Sequence, residues 1–177
     1  MRRDHGFTIV EVLIALVLIA VMAAGLAGLV VLSARSSRDV RTRGTATLMA
    51  AQKMEQLRGL TWGRDAATGT PQSDTTTDLS VDPHGSGGPG LAWSPVDAAD
   101  RTVTGYVDYL DAAGWWVGTG AHAPPAAVYV RRWSVSPAGA AWCDCVVLTV
   151  RVAAVADSAP WRDARLVSLR GRTARVE

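Results

Sequence analysis

No proline stands before Pro71, and no ionisable residue stands anywhere in residues 12–32. The first absence leaves the N-terminal third without the residue that most strongly breaks a helix. The second leaves 21 uncharged residues, enough to cross a hydrocarbon layer that needs about 20. Cysteine is scarce as well: Cys143 and Cys145 are the only two, too few for a zinc cluster or a multi-bridge scaffold. The three histidines, His5, His84 and His122, are far apart in sequence, and none lies near a cysteine. There is no Gly-x-Ser-x-Gly and no metal-ligand triad, so no catalytic residue, metal site or cofactor is expected. The glycine run at 85–90 is followed by no Lys-Ser/Thr pair, and reads as a surface loop rather than a phosphate cradle.

Charge is unevenly spread. Residues 1–59 hold eight basic against four acidic residues, and residues 60–177 hold ten against twelve. The C-terminal part is therefore mildly acidic, which argues against direct binding of nucleic acid. Seventeen of the eighteen basic residues are arginine, which makes Lys53 the single lysine.

A six-residue leader, Met1-Arg2-Arg3-Asp4-His5-Gly6, precedes Phe7-Thr8-Ile9-Val10-Glu11 and the long apolar run. Glu11 is the one charge between Gly6 and Leu32. A carboxylate at mid-membrane costs on the order of 2.5–3.5 kcal/mol and less near the interface, so a partner for it is expected. The run is too long for a cleaved secretory signal and no Ala-x-Ala site follows it. Arg2-Arg3 is not followed by a twin-arginine pattern.

The Gly6-Phe7-Thr8-x-x-Glu11 motif resembles that of the type IV pilin and pseudopilin superfamily. The resemblance implies that prepilin peptidase cuts between Gly6 and Phe7 and methylates the new amine of Phe7. It also implies that Glu11, fifth in the mature chain, meets the Phe7 amine of a neighbouring subunit. The implied partners are prepilin peptidase, other pilin or pseudopilin subunits, an inner-membrane assembly platform and the lipid bilayer. The implied role is a structural, non-enzymatic subunit of a type IV pilus-like or type II secretion filament. Tyr129-x-Arg131-x-Trp133, residues 146–152 and residues 165–169 look like PilV-type minor pilins and the minor pseudopilins of type II secretion. A signal-anchored extracytoplasmic ligand-binding domain that never polymerises is the alternative.

Orientation sets two rules against each other. Arg35, Arg38, Arg41 and Arg43 follow the apolar run, and the positive-inside rule alone would place the C-terminal domain in the cytoplasm. The pilin resemblance requires the reverse: a single pass through the inner membrane, the N-terminus cytoplasmic and the domain outside, at the filament or cell surface after assembly.

The expected architecture is α+β, with one long helix packed on a small antiparallel sheet of about four strands. Its segments are a leader (1–6), a transmembrane or filament-core helix (7–32), an amphipathic continuation (33–60), a loop-rich connector (61–100) and an antiparallel β domain (101–177). Val40, Leu48, Ala51, Met54 and Leu57 recur at helical spacing and mark the expected buried stripe. Gly25, Gly28 and Gly44 suggest either local unwinding or close packing between helices. Val146, Leu148, Val150 and Val152 define one face of the strongest strand, and the strands should follow one another as a meander. Trp115-Trp116 should put one ring in the core and one outside. Asp74, Asp78 and Asp82 read as solvated acids, since they follow no calcium-loop pattern. Cys143 and Cys145, two apart on a strand, sit at or beyond ordinary disulfide reach unless the strand start is bent. A bond between them and two separate thiols both stand open.

Overall fold

The computed structural model describes residues 8–73, 89–139, 145–156 and 163–171. The fold is α+β, a long helix followed by antiparallel strands. Contacts divide the chain into two compact units, Met1–Arg41 and Thr42–Glu177.

Helix α1 spans Ile9–Gly59, 51 residues, about 76 Å at the α-helical rise. It passes Gly25, Gly28 and Gly44 without interruption. The unwinding that glycine permits therefore does not occur, and a Cβ at any of these three would meet nothing within 4 Å, so none of them serves close packing within the chain. In the first unit the helix surface is apolar and exposed, from Ile9 (80%) to Leu32 (65%).

In the second unit the end of α1 packs on the sheet along a stripe that shares Met54, Leu57 and the half-buried Ala51 with the one expected and departs from it elsewhere. Ala46, Met49, Ala50, Lys53, Met54 and Leu57 are buried, whereas Val40 and Leu48 are 67% and 72% exposed. The buried face runs through Met49 and the small Ala46 and Ala50, which were left out of the expected stripe, and takes in Lys53 at helical spacing.

The strands are β1 (Trp62–Arg64), β2 (Pro71–Ser73), β3 (Val107–Leu110), β4 (Trp116–Thr119), β5 (Tyr129–Pro137), β6 (Cys145–Ala154) and β7 (Ala164–Gly171). The main sheet has five strands rather than about four, in the order β4-β3-β5-β6-β7, all antiparallel. It is a meander only over β5-β6-β7, because β5 returns to β3 instead of β4. A two-stranded hairpin, β1-β2, lies within the expected connector.

Residues of the 89–106 segment complete the sheet. β3 covers only the first half of β5. Beyond it, Trp133 N–H donates to Tyr106 O (3.1 Å), and Ser94 N–H donates to Val135 O (3.0 Å). Ser94 Oγ accepts from Val135 N–H at 3.1 Å. These bonds satisfy backbone groups that would otherwise be left open beside the core, and they hold Leu91, Ala98 and Ala99 in buried positions.

Val146, Leu148, Val150 and Val152 all face the core with no exposure, alongside Leu110, Trp133, Val135 and the α1 residues. Burying one such side chain contributes roughly 1.5–3 kcal/mol. β3 is buried on both faces, because a second cluster of Val107, Tyr109, Val130 and Ala153 forms on the side away from the helix. At the other edge, Arg170 of β7 reaches the helix end and donates from Nη1 to Leu57 O at 2.9 Å, satisfying a carbonyl that a helix terminus leaves open.

Candidate functional site

Thr8 sets the start of α1. Its carbonyl accepts from Glu11 N–H (3.1 Å) and Val12 N–H (3.2 Å), and its Oγ1 accepts from Glu11 N–H at 3.3 Å. Thr8 is thus the N-cap and Glu11 the third helical residue, the spacing of a capping box, of which the Thr8 Oγ1 half is formed. Glu11 is the acid of the first turn, where the helix dipole favours negative charge. The capping role was readable in the Thr-x-x-Glu spacing itself. Gly6 and Phe7 lie outside the described residues.

A second feature lies under the helix and went unmarked in the sequence. Asp108 and Arg131 are directly opposed on β3 and β5 and both face α1. Arg131 donates to Asp108 through Nε and Nη2 (2.9 and 2.8 Å) and to Met49 O of the helix through Nη1 (3.3 Å). Lys53 Nζ lies 3.8 Å from Asp108 Oδ2 and 3.7 Å above the centre of the Trp133 ring. Lys53, Asp108 and Arg131 are at most 4% exposed, so each charge depends on its neighbours here. The signal that could have found this cluster was the single lysine on the helix's core face.

Near the sheet's far corner, Arg151 bridges Asp100 (2.7 Å) and Asp163, and Arg165 adds a longer contact to Asp100 (3.3 Å). The hydrogen bond to Asp163, followed by those to Asp100, raises the Arg151 pKa against the opposing effect of burial. Arg132 beside it is lowered, chiefly by desolvation, and donates to Thr102 Oγ1 at 3.2 Å.

On the same side of the helix as Leu48, an open trough of about 430 Å³ is lined by Leu48, Met49, Gln52, Ala113, Gly114 and Trp115. The β3–β4 turn forms one wall. Asp111 Oδ1 accepts from Ala113 N–H (2.8 Å) and Trp115 N–H (2.9 Å). Gly114 has φ 87°, and a Cβ there would meet Met49 Cε at 3.2 Å. The turn leaves Trp115 74% exposed and sends Trp116 against the core, the split expected of the pair. Cys145, the first residue of β6, is disulfide-bonded. Cys143, Asp74, Asp78 and Asp82 lie outside the described residues. Among the described residues, no group of three or more His, Cys, Asp or Glu is placed to hold a metal ion.

Residues 1–27 match the family model of the prokaryotic N-terminal methylation motif. The chain carries the type IV pilin and pseudopilin signature. A type IV pilin-like precursor is a substrate of prepilin peptidase, and the motif implies assembly with other pilins. No curated protein and no solved structure matches the chain. The pilin signature also accounts for the apolar surface of α1. This helix is long and apolar enough to cross a membrane, and its most apolar window is unburied, which fits a membrane-anchored protein.

Proposed function

We propose that this chain is a minor pilin or minor pseudopilin, a structural subunit that enters a type IV pilus-like or type II secretion filament through α1. One observation carries the reading. A capped helix start places a lone carboxylate, Glu11, in the first turn of an exposed apolar helix, inside a matched N-terminal methylation motif. Prepilin peptidase cuts between Gly6 and Phe7 and methylates the Phe7 amine. Before assembly the subunit sits in the inner membrane with its N-terminus cytoplasmic and its C-terminal unit outside. Glu11 then meets the Phe7 amine of a neighbour, since a carboxylate and an amine in an apolar bundle each relieve the other's desolvation. The trough beside Trp115 and Leu48 suits contacts between subunits, because exposed aromatic anchors concentrate binding energy. The disulfide of Cys145 closes on Cys143.

The N-terminus of the mature chain tests the reading. Mass spectrometry of protein from cells with an active prepilin peptidase should find N-methylated Phe7 as the first residue. Gly6→Val should leave the leader attached, since a bulky side chain before the scissile bond obstructs the peptidase. A wild-type chain still beginning at Met1 or Arg2 would sink the proposal and favour a signal-anchored domain.

A further inference from the structure

We infer that Arg35, Arg38 and Arg41 form a binding belt for the anionic headgroups of phospholipids, at the membrane face where the apolar run ends. The inference deepens the proposed function. It rests on the membrane span of α1, and not on which way the chain crosses.

Geometry sets the depth of the belt. Residues 12–32 hold no ionisable group, and at the α-helical rise they cover about 31 Å, close to the roughly 30 Å of a bilayer's hydrocarbon core. The helix does not end there, but continues unbroken to Gly59. Arg35 therefore stands about 4.5 Å beyond Leu32 along the axis, Arg38 about 9 Å and Arg41 about 13.5 Å beyond. The headgroup layer is roughly 5–8 Å deep on each side. Arg35 lies within it, and Arg38 and Arg41 extend their flexible side chains back towards it.

Arrangement and chemistry agree with that depth. All three arginines are exposed. Arg35, Arg38 and Arg41 recur every third residue, so they wind along one flank of the helix. The same stretch holds one acid, Asp39, and no lysine. The belt therefore keeps a net positive charge on a segment otherwise made of Ser and Val. A guanidinium presents a planar fork that matches two phosphate oxygens, and basic clusters beside a membrane span attract anionic lipids. An acidic surface on another subunit offers carboxylates to the same arginines. The lipid is favoured because the belt is continuous with the apolar run and begins at headgroup depth.

The test uses the full chain in native membranes, purified in mild non-ionic detergent, with co-purifying lipids quantified by mass spectrometry. Wild type is compared with variants in which all three arginines are changed, either to glutamine (Arg35→Gln, Arg38→Gln, Arg41→Gln) or to lysine. Phosphatidylglycerol and cardiolipin should exceed their share of the membrane by about threefold or more in wild type. They should fall to that share in the glutamine variant and stay enriched in the lysine variant. Carbonate extraction run in parallel separates the failures. Wild type released by carbonate overturns the membrane span itself. Wild type that resists carbonate yet carries lipid at the bulk ratio overturns the belt alone. Unchanged lipid with loss of co-purifying pilin-type subunits from the glutamine variant reassigns the arginines to a protein surface, and also overturns the inference.

Discussion

Arg131 clasps Asp108 with two parallel hydrogen bonds, Nε to Oδ1 at 2.9 Å and Nη2 to Oδ2 at 2.8 Å, between the sheet and the helix that covers it. Both side chains are closed to solvent, and Lys53 approaches the same carboxylate from the helix. The cluster ties α1, β3 and β5 to one another through directional bonds, where apolar packing alone would tolerate sliding. Charges buried this way stabilise little as a set, but removing one member strands the others.

That asymmetry gives a first prediction. Asp108→Ala leaves two buried cations without their carboxylate and should cost about 3–5 kcal/mol. Lys53→Met removes one cation and keeps an unbranched side chain of similar length over Trp133. It should cost clearly less than the Asp108 change, about 1.5 kcal/mol or under. Chemical denaturation followed by tryptophan fluorescence compares them. A Lys53 variant as damaged as the Asp108 variant would show that the ammonium, not the Arg131–Asp108 clasp, holds the helix in register.

Tyr106 supports a second. Its hydroxyl donates to Ala92 O (3.2 Å) and Trp93 O (3.1 Å), pinning the segment that completes the edge of β5. Tyr106→Phe should cost about 1–3 kcal/mol, because buried carbonyls lose a partner. Burial raises the Tyr106 pKa above its ordinary 10.0. The hydroxyl's contribution is therefore fully present below pH 10. It is lost as pH rises from there through the raised value, because the unfolded chain ionises first. Stability measured from pH 8 to 11 should fall above pH 10 in wild type and less steeply in the phenylalanine variant. Parallel slopes would rule Tyr106 out as the titrating group.

What could be read in the sequence divides along physical lines. The α-helix up to Leu32 was legible because an absence of charge and proline is a one-dimensional signal. The inner face of β6 was legible because Val146, Leu148, Val150 and Val152 alternate strictly. β7 was harder: Leu166 turns inward while Val167 and Leu169 stay 64% and 63% exposed, and alternation alone does not say which set faces the core. The segment at 89–106 was hidden because it joins the sheet through backbone bonds and the Ser94 hydroxyl, which leave no periodic side-chain pattern. The Lys53–Asp108–Arg131 cluster was hidden because its members are 55 and 23 residues apart in sequence and meet only once the helix lies on the sheet. At the N-terminus, the motif carried both the resemblance and, through Thr8 and Glu11, the helix cap.

The N-terminal site gives a third prediction. Glu11→Ala should leave membrane insertion and leader cleavage intact and should lower incorporation into filaments. Removing the one acid makes insertion easier, so poor insertion cannot explain an assembly defect. Thr8→Ala should loosen the first helical turn, by about 1 kcal/mol for a lost cap, and reduce incorporation less than Glu11→Ala. Thr8→Ser keeps the capping oxygen and should behave as wild type. The ratio of filament-associated to membrane-associated subunit measures all three. Equal ratios for Glu11→Ala and wild type would remove Glu11 as the docking charge.

The last prediction separates the two roles of α1. Residues 34–177 lack the apolar run but keep Ala46, Met49, Ala50, Met54 and Leu57, the residues that cover the inner face of the sheet. This fragment should unfold in one cooperative transition. Starting instead at Gly63 removes that cover and exposes Leu110, Val135, Val146, Leu148, Val150 and Val152 together. It also leaves Asp108 and Arg131 open to solvent and takes from Arg170 the Leu57 carbonyl it caps. An uncovered apolar sheet face of this kind associates rather than standing free in water. The shorter fragment should therefore aggregate, or bind a hydrophobic dye without a sharp thermal transition. If it stays monomeric and melts as sharply as residues 34–177, the sheet does not need the helix. The burial of Met49, Met54 and Leu57 would then stabilise the helix alone, and α1 would act as a stalk rather than as part of the core.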